Sequence, residues 1–293
     1  MPISALLLLV IAGVLHAGWN LLVKRAREKY IFTWWAWAVG SLAFAPLLAF
    51  SPALPRTVWP YLAISALAQA AYFVALTRAY SIGDFSLVYP LSRGSAPALL
   101  LLWAALFLGE RPAWGGLFGL VLLLSGLLLV GGLFARSAPA DAGRGPWRRL
   151  PFSAGAIGAA LSVALCISIY SVFDGAAVQI ASPISYTLVE FLGATALITP
   201  IVLRRYSTDI IMAEWRANWP RIIAVGGLLV LTYWLVLLAY SAGHIAYAGA
   251  VREISVVFAA LIGWRWLGEG FGLARFSGAL LIFAGILMIA VIG

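Results

Sequence analysis

Residues 79–83 read Ala79-Tyr80-Ser81-Ile82-Gly83, and Ala239-Tyr240-Ser241-Ala242-Gly243 repeats the pattern 160 positions on, 239 against 79. From each copy the chain runs through the same order of features: a charged residue inside an apolar run, a Gly-Glu turn, and a second apolar run carrying glycines. Ser95 answers Ser255 at the same offset. Gly109-Glu110 answers Gly268-Glu269, and Gly126 answers Gly285, one position out of step, as a single-residue deletion gives. The chain reads as a duplication.

Its solvent is a bilayer. Of 293 residues 64% are hydrophobic and 10% charged, with a mean hydropathy of +1.03, more apolar surface than one aqueous core hides. The net charge of +9 sits mainly in short loops between apolar runs, where basic residues orient a membrane protein. No basic patch is interleaved with stacking aromatics, which excludes nucleic acid as a partner. Cys166 stands alone and the two histidines are far apart. The sequence therefore offers no disulfide framework, no metal-ligand spacing, no cofactor motif and no nucleophile with its base, and it does not read as an enzyme.

A spanning helix needs roughly 20 apolar residues. Ten such runs occur, at about 3–23, 31–50, 58–80, 85–108, 113–134, 152–172, 183–203, 220–240, 245–267 and 271–292. Ser51-Pro52, Gly83-Asp84, Arg111-Pro112, Ser182-Pro183 and Trp219-Pro220 mark breaks. Met1 to Val10 carries no basic residue, and Lys24-Arg25 follows the first run, so that run reads as an uncleaved span and not a signal peptide. Residues 135–150, rich in Pro, Gly and Arg, form a polar linker. Five spans on each side of it place the second copy in the membrane upside down. The expected fold is thus an all-α integral membrane protein of ten transmembrane helices in two inverted five-helix repeats, residues 1–134 and 151–293, with 135–150 between them. Many secondary transporters are built this way, with the substrate site near the midplane.

Lys24, Arg25, Arg27, Lys29, Arg78, Arg136, Arg144, Arg148, Arg149, Arg204 and Arg205 fall on one face with most other basic residues, against Arg56 and Arg111 on the other. The positive-inside rule makes the first face, with the linker, cytoplasmic and puts both termini outside. Trp34, Trp35, Trp37, Trp215 and Trp219 read as an interfacial belt.

Charges inside spans cost about 2.5–3.5 kcal/mol each on insertion scales, so Arg93, Glu190, Arg252 and Glu253 require partners or a polar cavity. Arg93 and Glu253 occupy equivalent positions in the two copies, each about 12 Å deep in a layer about 30 Å thick. An ion pair across the halves follows, and Glu190 reaches nearly the depth of Arg252, which allows a second. Such pairs hold helices in register, bind substrate or carry a coupling proton, and the residues leave these roles open. His16, Asn20 and Lys24 lie at i, i+4 and i+8 on one stripe of the first span. His16 titrates near neutrality when unperturbed, so it or Glu253 is a candidate proton carrier, while Lys24 reads as a cytoplasmic anchor. Gln69, Tyr72, Tyr89, Tyr170, Tyr233 and Trp234 are candidates to line the same cavity. Pro90 and Pro97 flank Arg93 and predict a bent or opened fourth span. Gly115, Gly119, Gly278 and Gly285 give small faces for helix contact. Glu110 and Glu269 read as caps of the helices that follow them.

Ten spans in a five-plus-five inverted repeat, His16-Ala17-Gly18-Trp19-Asn20 with Lys24 in the first span, and Leu108-Gly109-Glu110 and Leu267-Gly268-Glu269 before the last span of each half resemble the drug/metabolite transporter superfamily, specifically its EamA-type permeases. The resemblance covers nearly the whole chain. It implies a bacterial inner-membrane carrier, typically an exporter of amino acids, related metabolites or drugs, with a central cavity lined by spans 1, 3, 4, 6, 8 and 9. Many members resemble one another in having cytoplasmic termini, whereas the charge count here argues for the reverse. The expected function is a secondary active transporter, a proton-coupled exporter of a small polar or zwitterionic metabolite. Arg93, Glu253, His16, Asn20, Gln69, Tyr72, Tyr89, Tyr170, Tyr233 and Trp234 would contact substrate, and Arg93, Glu253, Glu190, Arg252 and His16 would couple or pair. Uptake, facilitated exchange and a non-transporting assembly role remain as alternatives. The expected partners are a small-molecule substrate and lipid, with the chain a monomer or homodimer.

Overall fold

In lipid every backbone N–H and C=O must be satisfied within the protein, and a helix does this locally. The computed structural model describes residues 2–24, 26, 28–82, 85–111, 113–130, 154–243, 245–255, 257–258 and 273–292. At some helical positions, among them Asn20, Lys24 and Tyr89, the side chain lies outside the described residues, as do Glu269 and the linker. The helices are α1 (Ile3–Lys24), α2 (Lys29–Phe44), α3 (Trp59–Ile82), α4 (Phe85–Phe107), α5 (Trp114–Val130), α6 (Ala154–Ala177), α7 (Pro183–Arg205), α8 (Thr208–Tyr240), α9 (Ile245–Arg252) and α10 (Leu273–Ile292). Two short 3-10 turns, Ala45–Phe50 and Arg56–Val58, lie between α2 and α3.

Five helical stretches among the described residues are long and apolar enough to cross a membrane: Lys29–Phe50, Arg56–Leu76, Gly155–Ala177, Pro183–Arg205 and Thr208–Tyr240. Shorter apolar helical stretches occur at Ile3–Trp19, Ser95–Phe107, Trp114–Leu129 and Phe276–Ile289. Along α1 the residues Ile3, Leu7, Ile11 and Val14 are exposed, while Ala5, Leu9 and Ala12 on the other face are buried. Apolar side chains thus cover the outside. Arg93, Asp174, Glu190, Arg252 and Glu253 are buried within, the arrangement of a multi-pass membrane protein.

Helix packing follows a regular exchange. α1 packs on α8 and α3 on α6; α2 packs on α8 and α3 on α7; α1 touches α9 and α4 touches α6. Raising or lowering each label by five converts the members of each couple into one another. α5 lies along α10, and there the glycines meet backbone to backbone: a Cβ on Gly119 would stand 2.8 Å from the Gly285 carbonyl oxygen, and one on Gly126 2.5 Å from that of Gly278. The small faces expected on these spans are the contact itself. Gly115 meets Ile292 on the same seam.

Several expectations need correction. α8 does not begin after Trp219-Pro220; it starts at Thr208 and carries Pro220 inside it. Ser207 in extended conformation, with Asp209 in the first turn, supplies the helix start, and proline removes only one bond from a helix already long on both sides. α4 is likewise unbroken through Pro90 and Pro97. The interruption falls in its counterpart: α9 ends at Arg252, and the Glu253 and Ile254 amides bond to Ala250 and Val251, three residues back. Trp34 and Trp37 are buried and so do not form a belt. Positions 30, 34 and 37 share one helix face, and that face packs on α7 and α3, with Trp37 against Phe191 and Phe73. Trp35 instead meets Trp215 of the α8 extension, ring centroids 4.9 Å apart.

Glu110 caps a helix other than the expected one. α4 closes through Gly109 at φ 67, the left-handed region that suits glycine. The Glu110 carboxylate then accepts from the Ile245 amide at 2.8 Å and the Ala246 amide at 3.2 Å, the free donors at the start of α9. It therefore ties the end of α4 to α9, and not to α5.

Candidate substrate site

Arg93, eight residues into α4, reaches across to Glu253, just past the end of α9. Its Nη1 lies 3.4 and 3.5 Å from the two carboxylate oxygens. The pair expected from the repeat is present, and its long distances leave the two groups loosely engaged. Arg93 Nη2 stands 3.0 Å from His16 Nε2. Guanidinium has no acceptor, so the imidazole nitrogen accepts; at this contact His16 is neutral, with its proton on Nδ1. His16 also meets the Trp19 ring edge-on at 4.7 Å.

Arg252 completes the group. Its Nε lies 3.7 Å from Glu253 Oε1, and its Nη1 donates to Ser171 Oγ of α6 at 3.4 Å. Two guanidiniums therefore converge on one carboxylate, all three residues buried. The second pair expected, Glu190 with Arg252, does not form. Depth along a helix axis can be read from sequence, but bearing around it cannot, and Glu190 faces elsewhere. Its neighbours are Asp174, Gln69 and Ser65.

The aromatic candidates divide. Tyr72 and Tyr170 lie in the electrostatic field of Arg93 and Arg252, their rings edge-on at 6.1 Å. Tyr170 meets Tyr233 at 6.3 Å, and Tyr233 meets Phe191 at 5.4 Å. These rings make a continuous wall from the charged cluster toward Trp37. Trp234, one residue beyond Tyr233 and so rotated by about 100°, does not join it. It lines an apolar cavity of about 600 Å³ with Phe44, Leu47, Ile184, Ile223 and Leu231. The side chains of Asn20 and Tyr89 lie outside the described residues.

Asp174 is the residue that sequence reasoning missed. It accepts from Tyr186 Oη at 2.8 Å and from Tyr233 Oη in a short contact, and it is fully buried. The sixth run reads as ending at about residue 172, yet Gly175-Ala176-Ala177-Val178 continues the apolar composition beyond Asp174, and α6 extends to Ala177. Among the described residues no group of three or more His, Cys, Asp and Glu side chains is disposed to hold a metal ion.

A solved crystal structure of a protein 19% identical in sequence superposes with a TM-score of 0.73 and covers 99% of each chain, which shows a shared fold. No curated protein matches the sequence significantly. A profile of the EamA-like transporter family matches residues 3–132 and again residues 154–291. Two matches across nearly the whole length, on a chain whose apolar helices enclose buried charges, place this protein in the EamA-like transporter family, within the drug/metabolite transporter superfamily.

Proposed function

We propose that the chain is a secondary active carrier of ten spans, built as inverted five-helix repeats over 1–134 and 151–293, that exports a small polar or zwitterionic metabolite such as an amino acid in exchange for protons. The family supports transport of small solutes across a membrane. The exchange symmetry of the helix contacts supports the two repeats, and rocking of one against the other would alternate access.

The observation that carries the substrate reading is the charge balance at the centre. Arg93 and Arg252 share Glu253, which leaves guanidinium in excess over the one carboxylate they both contact, where Tyr72 and Tyr170 supply hydroxyls. A substrate carboxylate would take that excess through paired donors, and a substrate ammonium would compete for Glu253. Because the Arg93 to Glu253 contacts are long, either group could displace them at modest cost. His16 would fix the Arg93 guanidinium from behind, and Gln69 would stand above the site on α3.

The test is flux of a panel of amino acids and small metabolites into oriented proteoliposomes, with and without a pH gradient, for wild type, Arg93→Ala and Glu253→Gln. Gradient-driven flux lost at least tenfold in both variants is the expected result. Normal transport by both variants would remove the central cluster from the mechanism.

A further inference from the structure

Beside the arginine cluster, α3, α6, α7 and α8 bring together a second polar group whose two acids the substrate reading does not use. Asp174 on α6 and Glu190 on α7 are both fully buried. Asp174 is among the charges that act on Glu190, both acids stand beside Ser65 of α3, and Gln69 adjoins Glu190. The two acids are treated differently by their surroundings. Asp174 receives the hydroxyls of Tyr186 and Tyr233, as a carboxylate requires. Neither Glu190 oxygen makes a close hydrogen bond, and the donors that bear on it are the neutral side chains of Ser65 and Gln69. Arg252 is the cation whose field reaches Asp174, but its contacts are with Glu253 and Ser171.

A second anion in this compartment would be unpaired, dry and opposite a like charge, which costs several kcal/mol. A sodium ion is poorly served, since carriers hold it with carbonyls of unwound helices while α6 and α7 are continuous past both acids. The geometry points to Glu190 as the proton-binding group of this carrier, with Asp174 as its fixed anionic partner. One proton adds to a Glu190 carboxylate oxygen from one aqueous side and leaves to the other; no other bond changes. Tyr186, one turn before Glu190 on α7, and Tyr233 on α8 fasten both helices to Asp174. Ser171, one turn before Asp174 on α6, takes Arg252. Release of the proton would set two anions against each other across α6 and α7 and draw Arg252 toward them, away from Glu253. Proton occupancy would thereby bear on the substrate cluster. This coupling role rests on the proton-exchange reading above; the proton itself does not.

Infrared spectroscopy of the full-length protein in lipid vesicles tests it without a substrate. Wild type at neutral pH should show the carbonyl stretch of a buried protonated carboxyl, shifting on exchange into heavy water. Glu190→Gln should lose that band, and Asp174→Asn, which removes the neighbouring anion but not the acid, should keep it, both with wild-type helical content. No such band in wild type would overturn the assignment, as would a band that survives Glu190→Gln and vanishes in Asp174→Asn. Should Glu190→Gln fail to fold, the wild-type band and its fate in Asp174→Asn decide alone. Solute flux indifferent to a pH gradient, with the Glu190 band intact, would refute proton exchange and leave the proton site standing.

Discussion

At the scale of single residues, the central cluster makes an asymmetric demand on its members. Removing one partner from a buried ion pair leaves a charge uncompensated, a loss of about 3–5 kcal/mol. Glu253→Gln does this to both guanidiniums, since Arg93 and Arg252 meet on it. Arg93→Gln leaves Arg252 on Glu253, so its cost should be nearer the about 1.5–3 kcal/mol of a lost charged hydrogen bond. Glu253→Gln is therefore expected to lower the unfolding temperature in detergent more than Arg93→Gln, and the double variant should recover part of the loss. Equal effects from the two single variants would mean that Arg252 contributes nothing to holding Glu253. The Arg93 to Glu253 contact was legible in the sequence because both its determinants are linear: position in the repeat and depth along a helix. The absence of a Glu190 to Arg252 contact was not, because it depends on the rotation of α7 against α6.

At the scale of elements, α9 is short and carries Arg252 and Glu253 at and beyond its end, so its placement sets the cluster. Glu110 is what holds its first turn, by two charge-assisted bonds to the Ile245 and Ala246 amides. Glu110→Ala should cost about 1–2 kcal/mol, the range for a lost helix cap, and should reduce flux although Glu110 lies a whole helix away from the charges. Glu110→Gln, which keeps the acceptor oxygen, should restore most of the stability. Wild-type flux in Glu110→Ala would separate α9 placement from transport. The extents of α1, α3 and α7 were readable because apolar length and turn residues coincide at their ends. Those of α6 and α8 were not. Asp174 looks like the end of a span when it is a buried acceptor for two tyrosines, and Pro220 looks like a break when the helix has already begun at Ser207-Thr208-Asp209. Both errors take a polar or helix-breaking residue as a boundary where tertiary contacts absorb it. The Glu110 cap belongs to the same class: sequence locates a carboxylate near a helix start but not which of two starts it reaches.

At the scale of the whole molecule, the buried acids and Arg93 are arranged in order along the bundle. Asp174 lies three residues before the end of α6, Glu190 eight residues into α7 counting Pro183 as the first, and Ser65 near the start of α3. These helix ends share the side of the 51–55 connection; Arg93, nearer the opposite end of α4, lies deeper, while Arg252 and Glu253 stand at about the depth of Glu190. The distribution of basic residues predicts that this side is the exterior. Protons from outside would then meet Asp174 and Glu190 before they reach Arg93, and release to the cytoplasm would draw solute the other way, which is the sense of an exporter. The prediction is testable by cysteine labelling in a Cys166→Ser background, since position 53 before α3 and position 207 before α8 are exposed and are expected on opposite sides. In intact bacterial cells a membrane-impermeant thiol reagent should label Ala53→Cys and spare Ser207→Cys until the cells are opened. Labelling of Ser207→Cys alone would invert the molecule. The acid pair would then face the cytoplasm, and the same order of sites would describe a carrier whose proton and solute move in the opposite senses.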